Sequence, residues 1–508
     1  MAGGGWSGVS REAMGLLADP TAASDAGLLT DMRHATAGQA FLEWLRLSRA
    51  AELHARRVAP TAESDTRRFD GFVQCATSIA AVHNMSQTAG ERLLDTAVTM
   101  ASRLPKVGTC LRDGLISGRD LRTIITRTDL ITDPDTHASI DTDIAATLHR
   151  RGSWSTARLR DMVDRIVYRY DSYAVRERRK QALSERGFWC DPRPDGMAEL
   201  SATMTAEAAV AMARRIDALA RAVCSRDDRT LAARRSDALF CLTMGVAWEC
   251  SCHTPDCTAP VVPDAEAVTR RDIPATATSL VVHVVCDLET AAGDGETPAF
   301  IDGYGVISAP HLTDLLTRPG TSIRPVGGSD TPLPPHLPSD PYRPSTALDT
   351  ILRTRDLYCT WPGCNLRAWT ADLDHVTEYD HHDPAAGGQT CYRDMNTKCR
   401  FHHGIKTFTT FLDDQTVTHG ITTQTITTPE GITLAGPAFT GDDLFPGLAD
   451  ITFTHPAHAP PTTPSPPAAP TPDEPTRRQP RLADKHARRR TERHRNRTTA
   501  GADDPPPF

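Results

Sequence analysis

Cys359 and Cys364 open one pair of soft ligands in this chain, and Cys399 and His402 close another. Between the pairs stand Asp374 and His375, within "DLDHV", and a second histidine, His403, follows His402 directly. Zinc favours four sulfur or nitrogen ligands in a tetrahedron, and two short-spaced pairs separated by a loop match that demand. The first pair has four intervening residues where two are commoner. Asp374 and His375 call for different chemistry. A carboxylate suits a hard divalent cation and an imidazole suits a general base. "LDHV" alternates like a strand, so the two should project to opposite sides unless the strand end twists. "NTKCRFHHGIK" reads as a helix on which His402 and His403 point about 100° apart, too far to serve one ion. Two neighbouring metal sites follow, and spacing alone leaves open which histidine joins Cys399.

The elements around this segment are legible in part. Residues 41–250 are mainly helical. In "TAGERLLDTAVTMASRL", Thr88 and Glu91 have capping-box spacing, Leu94, Ala97, Val98, Ala101 and Leu104 share a face, and Pro105 ends the run. Ser117 and Asp120 start a second helix. "STARLRDMVDRIVYRY" repeats apolar residues at three and four, and a later helix capped by Thr205 carries the stripe Met212, Ile216, Leu219 and Val223. "SLVVHVVCDL" (279–288) reads as a buried strand, "FIDGYGVISAPHLTDLL" as strand, turn and helix, and "STALDTILRTRD" as a short helix leading into the cysteines. "TVTHGITTQTITTPEGITL" is strand-prone.

The 508 residues exceed one ordinary core, and no apolar run approaches the ~20 residues of a membrane span. No secretory pattern opens the chain, so the 13 cysteines are expected to be reduced and cytoplasmic, and clustered ones to bind metal. Charge is uneven. Residues 477–497 hold ten Arg/Lys against Asp484 and Glu492, a net +8, leaving −16 for the rest of a chain whose total is −8. A basic arm on an acidic body suits either phosphate contact with nucleic acid or a solubilising tail. Residues 343–411 carry eight Arg/Lys and eight Asp/Glu, so that region alone does not attract DNA.

Taken in order, "CTWPGC", "DLDHV" and "CRFHHGIK" resemble the HNH endonuclease motif, a ββα-metal module. The resemblance implies that Cys359, Cys364, Cys399 and His402 hold a structural zinc. It implies that His375 is the base that activates water, that Asp374 and His403 bind one catalytic cation such as Mg²⁺ or Mn²⁺, and that Lys406 lies near phosphate. The family's asparagine falls at Asp394 here, with Asn396 two residues later. Asp394 is expected either to cap a helix or to join the cation ligands. "DGMAELSATMTAEAAVAMARRIDALA", "RTLAARRSDAL" and "FIDGYGVISA" resemble the large domain of unknown function that precedes HNH modules in many GC-rich bacterial proteins.

The resulting expectation is an α+β protein. Residues 1–40 are poorly ordered, 41–318 form a mainly helical domain, 319–344 a Pro/Gly-rich linker, and 345–411 the HNH module. A strand-prone extension (412–454) and a disordered Pro-rich and basic tail (455–508) follow. The expected function is metal-dependent hydrolysis of DNA phosphodiesters. The alternatives are a zinc-stabilised nucleic-acid-binding module without cleavage and a protein-interaction scaffold. Four further features read as structural: "CSCHTPDC" (Cys250, Cys252, His253, Cys257) as a reduced loop rather than a zinc knuckle, His381 and His382 as solvated loop residues, Cys391 as a bystander, and "DGYG" (302–305) as a turn.

Overall fold

The computed structural model describes residues 21, 23–150, 154–171, 183–193, 196–244, 247–257, 259, 283–302, 305–317, 321–326, 332–418, 421–437, 439–454 and 474–481. The chain divides into two compact units, one of Met1–Arg178, Pro194–Gly196 and His283–Phe508, the other of Arg179–Arg193 and Met197–Val282. The tail segments 455–473 and 482–508 and the first four residues of "SLVVHVVCDL" lie outside the described residues.

In the first unit, α1 (Asp25–Arg57) begins inside residues 1–40, which were expected to be poorly ordered, so that expectation fails from Asp25 on. Ser24 supplies the reason, its side chain accepting from the Gly27 amide. Then come α2 (Gly71–Val82), α3 (Gln87–Arg103), α4 (Pro105–Arg112), α5 (Gly118–Thr128), α6 (Pro134–Arg150) and α7 (Thr156–Tyr170). α3 is capped by Ser86, not by the box expected at Thr88 and Glu91, because the helix starts one residue earlier than Thr88. Ser117 and Asp120 start α5 as expected, and they do so as a capping box. Leu94, Ala97, Leu104, Leu121, Ile124, Ile140, Ile144, Leu159 and Val163 are buried in one continuous core. Ala101, at the margin of the α3 stripe, is exposed.

The rest of this unit starts with β3 (Val284–Val285), α10 (Leu288–Ala292), β4 (Ala299–Ile301), β5 (Gly305–Ile307) and α11 (Ala309–Leu316). A hairpin of β6 (His336–Leu337) and β7 (Asp340–Pro344) occupies the end of the expected linker. α12 (Thr346–Asp356), capped by Ser345, leads into the cysteines. An antiparallel pair then forms from β8 (Asp372–His375) and β9 (Met395–Lys398), with Asp374 opposite Asn396. It is followed by α13 (Arg400–Phe408), the antiparallel meander β10 (Leu412–Thr418), β11 (Ile421–Thr427) and β12 (Thr433–Ala435), and a single turn, α14 (Gly441–Leu444).

The cysteine-bearing segment is packed onto the helices. Phe69 and Val73 share a core with Cys359, Trp361, Cys399, Ile405 and Phe411. Phe69 stacks on Phe408 and meets Phe401 edge-on, with centroids 5.9 and 5.8 Å apart. Two glycines permit the approach. Gly363 has φ 73°, and a side chain there would run into the backbone of Asn84 and Met85. A Cβ at Gly404 would overlap the buried Phe69 ring. Gly404→Ala is therefore expected to destabilise by about 1–3 kcal/mol despite alanine's better helix propensity. An unchanged denaturation midpoint would show that Phe69 can move aside.

The first residues of the basic arm are also held in this unit. Arg477 and Arg481 both reach the Asp70 carboxylate, at 2.8 and 3.2 Å, and the Arg68 amide donates to the Pro475 carbonyl.

The second unit contains an antiparallel hairpin of β1 (Gly187–Pro192) and β2 (Ala198–Thr203), then α8 (Ala206–Arg221) and α9 (Leu231–Met244). Thr205 caps α8 as expected. Its predicted stripe is only partly buried, since Leu219 is 5 % exposed whereas Met212 is 42 % exposed.

Candidate metal centre and neighbouring acid–base cluster

The chain from Cys359 to Leu366 folds back on itself. The Cys359 amide donates to the Leu366 carbonyl and the Cys364 amide to that of Trp361, so both sulfurs point into one small volume. Cys399 enters it as the N-cap of α13, and His402 follows one turn later. The ligand atoms of Cys359, Cys364, Cys399 and His402 all lie within 4.8 Å of one another. Ligand atoms on a tetrahedral zinc sit roughly 3.8 Å apart, so small adjustments would complete the shell. His402 presents Nδ1, 3.2 Å from Cys399 Sγ and 3.5 Å from Cys359 Sγ. Its ring is fixed by stacking on Trp361, with centroids 4.7 Å apart. Hydrogen bonds from the Cys359 and Cys364 thiols hold Cys399 far below the ordinary thiol range, while burial pushes Cys359 well above it. A bound cation removes that conflict by stabilising all three thiolates. His403 and Cys391 are not part of this group.

The second cluster lies across β8 and α13. The Asp374 carboxylate faces His403 Nε2 at 3.6 Å and Lys406 Nζ at 3.0 Å. His403 Nδ1 contacts Asp372 Oδ2 at 3.1 Å. Asp372 thus orients the imidazole so that Nε2 is presented to Asp374, an arrangement that recurs around metal-bound histidines. Its position was readable in principle, because Asp372 and Asp374 are two apart on one strand and share a face. The set offers oxygen and nitrogen donors that fit a hard or borderline divalent ion.

Lys406 is buried, not displayed to solvent. It donates to Asp374, to the His375 and Val376 carbonyls and pairs with Asp413. Burial opposes its charge, but the Asp374 and Asp413 carboxylates more than offset this and raise its pKa above the usual lysine value. Lys398, also buried, lies 3.7 Å from Asp374 and 2.5 Å from Asp413.

His375 has a separate set of neighbours, as strand alternation predicts. Its ring stacks on Tyr342, with centroids 5.2 Å apart, and Tyr379 lies 5.3 Å away. His375 Nε2 is 3.0 Å from Thr390 Oγ1, whose own proton goes to the Pro341 carbonyl at 2.6 Å. Thr390 has one proton to give, so His375 Nε2 donates and Nδ1 keeps the lone pair. Burial lowers the His375 pKa, an effect partly offset by Asp394 and Asp374.

Asp394 accepts from loop amides. One of its oxygens accepts the Thr377 amide and the other the Gln389 amide, at 3.2 and 2.6 Å. It closes the loop between β8 and β9. Asn396, in β9, is 1 % exposed and accepts from Lys398. His381 rests against Tyr342 and Tyr379, with centroids 4.9 and 5.0 Å away.

A further cysteine group forms in the second unit. Cys250, Cys252 and Cys257 are joined by Cys224, which the sequence did not single out, and not by His253. Cys224 lies 26 residues before Cys250, too distant for short-range spacing to suggest.

Residues 42–356, more than half of the chain, match the family described as Domain of unknown function (DUF222). The chain belongs to the DUF222 family. An uncharacterized protein of Mycobacterium tuberculosis (strain ATCC 25618 / H37Rv), Rv3776, is 32% identical over 422 residues, 78% of this chain and 77% of the relative. A second from the same strain, Rv2100, is 31% identical over 429 residues, 78% and 75% respectively. A third from the species, "Uncharacterized protein in est 3'region", is 32% identical over 360 residues, 65% of this chain and 98% of its own length. No solved structure matches. The DUF222 match stops at the end of α12, just before Cys359, the first residue of the cluster that could hold zinc in the first unit. Among the described residues no helix is long and apolar enough to cross a membrane.

Proposed function

We propose that this DUF222 protein is a metal-dependent endonuclease of HNH type that hydrolyses DNA phosphodiester bonds with His375 as general base. One observation carries the reading. Beside a four-ligand zinc-type cluster, Asp372 turns His403 toward Asp374 at one face of β8, while His375 stands next in the strand with its Nε2 held by Thr390. The order of β8, β9 and α13 supports it as well.

Asp374 and His403 would hold the catalytic cation, Mg²⁺ or Mn²⁺. When bound, it supplies positive charge to the phosphoryl oxygens and the departing 3′ oxygen. His375 Nδ1 takes the proton of the attacking water, Thr390 fixes the tautomer that makes this possible, and Tyr342 restrains the ring. Asp372 keeps His403 oriented. Lys406 limits the repulsion between Asp374 and an incoming phosphate.

A second reading, a zinc-stabilised nucleic-acid-binding module without cleavage, draws on a specific observation. The ammonium groups of Lys406 and Lys398 already sit on Asp374, where they compete with a divalent ion. Plasmid DNA incubated with the protein and Mg²⁺ or Mn²⁺ separates the two. Nicking that EDTA stops, and that falls at least about 100-fold in His403→Ala, supports the enzyme. Retarded but intact DNA supports the binder.

A further inference from the structure

Among the described residues of the second unit the buried apolar cluster is small. Among its described residues only Leu219, Ala238 and Trp248 form a buried apolar cluster, with Ile216, Val223 and Cys241 packed beside them. A cluster of that size gains stability from a covalent or metal staple. Four cysteines converge next to it. Cys224 follows α8, and Cys250, Cys252 and Cys257 lie in the loop after Trp248. Their sulfurs are all within 4.8 Å of one another, and Cys224 and Cys250 are 3.5 Å apart.

The approach is built by other residues. The Asp227 carboxylate accepts from the Ser251 amide at 3.0 Å and from Arg229 at 2.8 Å, tying the Cys224 loop to the Cys250 loop. Ser251 adds a hydrogen bond to Asp228. The Arg229 guanidinium lies over the Trp248 ring, 4.8 Å from its centroid. A turn in which the Cys257 amide donates to the Thr254 carbonyl returns Cys257 toward Cys252. Between them His253 adopts φ 48°, a left-handed conformation that costs a non-glycine residue energy and persists where surrounding contacts demand it.

We infer that Cys224, Cys250, Cys252 and Cys257 form a second structural zinc site of four thiolates, which staples α8 to the loop after Trp248. Four sulfurs mutually in reach suit a tetrahedral ion, and all four are free thiols, none joined in a disulfide. Binding displaces the thiol protons to solvent and involves no change of oxidation state. The site is independent of the nuclease reading, since none of its residues belongs to the first unit.

The test counts zinc in the full chain, purified under reducing conditions, by elemental mass spectrometry. Two zinc ions per chain are expected. The Cys252→Ser/Cys257→Ser protein should keep one, the Cys359→Ser/Cys399→Ser protein should keep the other, and combining all four substitutions should leave none. Because a lost ion could reflect misfolding, Cys257→His provides a variant that can still ligate. After exchange of zinc for Co²⁺, its visible absorption should move to shorter wavelength, as a thiolate is replaced by imidazole, with two ions still bound. A zinc content unchanged by Cys252→Ser/Cys257→Ser, an unchanged Co²⁺ spectrum in Cys257→His, or a Cys224–Cys250 disulfide in the reduced preparation would each overturn the site.

Discussion

Cys399→Ser is expected to lose the zinc of the first cluster and, with it, the folded state of the segment from Cys359 to Phe408. The substitution separates two roles of one side chain. Cys399 caps α13 by accepting the His402 amide at 3.5 Å, and its sulfur lies 3.2 Å from His402 Nδ1 within the group that could hold a metal. A serine hydroxyl caps a helix at least as well, so the helix start is preserved while the thiolate is removed. Structural zinc contributes about 10–16 kcal/mol of apparent binding energy to small domains, as much as most domains have in total stability. Packing on Phe69 and Val73 will retain some order around Trp361 and Ile405. Thermal unfolding followed with zinc analysis gives the readout. The variant should resemble EDTA-treated parent protein, and a variant with the parent's zinc content and midpoint would remove the basis for the staple.

His375→Ala is expected to lower DNA cleavage by about 10²–10⁴-fold, the usual contribution of a positioned general base, while zinc content and thermal midpoint stay close to the parent's. The separation follows from location, because His375 contacts Tyr342 and Thr390 and none of the four zinc-type ligands. The pH profile gives a second check. Burial depresses the His375 pKa, so the base is neutral throughout the neutral range and is lost only as pH falls. The acid limb of the rate profile should have its midpoint below the ordinary histidine value of about 6.5. The sign for stability is the same. The folded state prefers the neutral ring, so this contribution is complete above about pH 6.5 and is lost as pH falls through the depressed value. Thr390→Val frees the Nε2 proton from its acceptor and is expected to cost less than His375→Ala. Cleavage undiminished in a folded, zinc-loaded His375→Ala protein would refute the assignment of the base.

Much of the local structure was written in residue spacing. The three- and four-residue periodicity of Leu159, Val163 and Ile166 is enough to define a buried helical face, because that face is the only way those side chains leave water together. The close spacing of Cys359 with Cys364, and of Cys399 with two histidines one turn on, was equally readable, whereas only the fold selects His402 over His403. The strand alternation of Asp374 and His375 likewise assigned them different neighbours before any contact was known.

What the sequence could not determine depends on contacts between distant segments. Cys224 joins Cys250 because Asp227 bridges two loops, and Lys406 turns inward because Asp413, from the following strand, supplies a second carboxylate. Asp394 closes a loop because two backbone amides reach it before any cation could. Short-range pattern determines which face of an element is apolar or which ligands can meet within a turn. Partners brought together by the fold decide what each polar group does there, since a buried charge must be satisfied by whatever lies beside it.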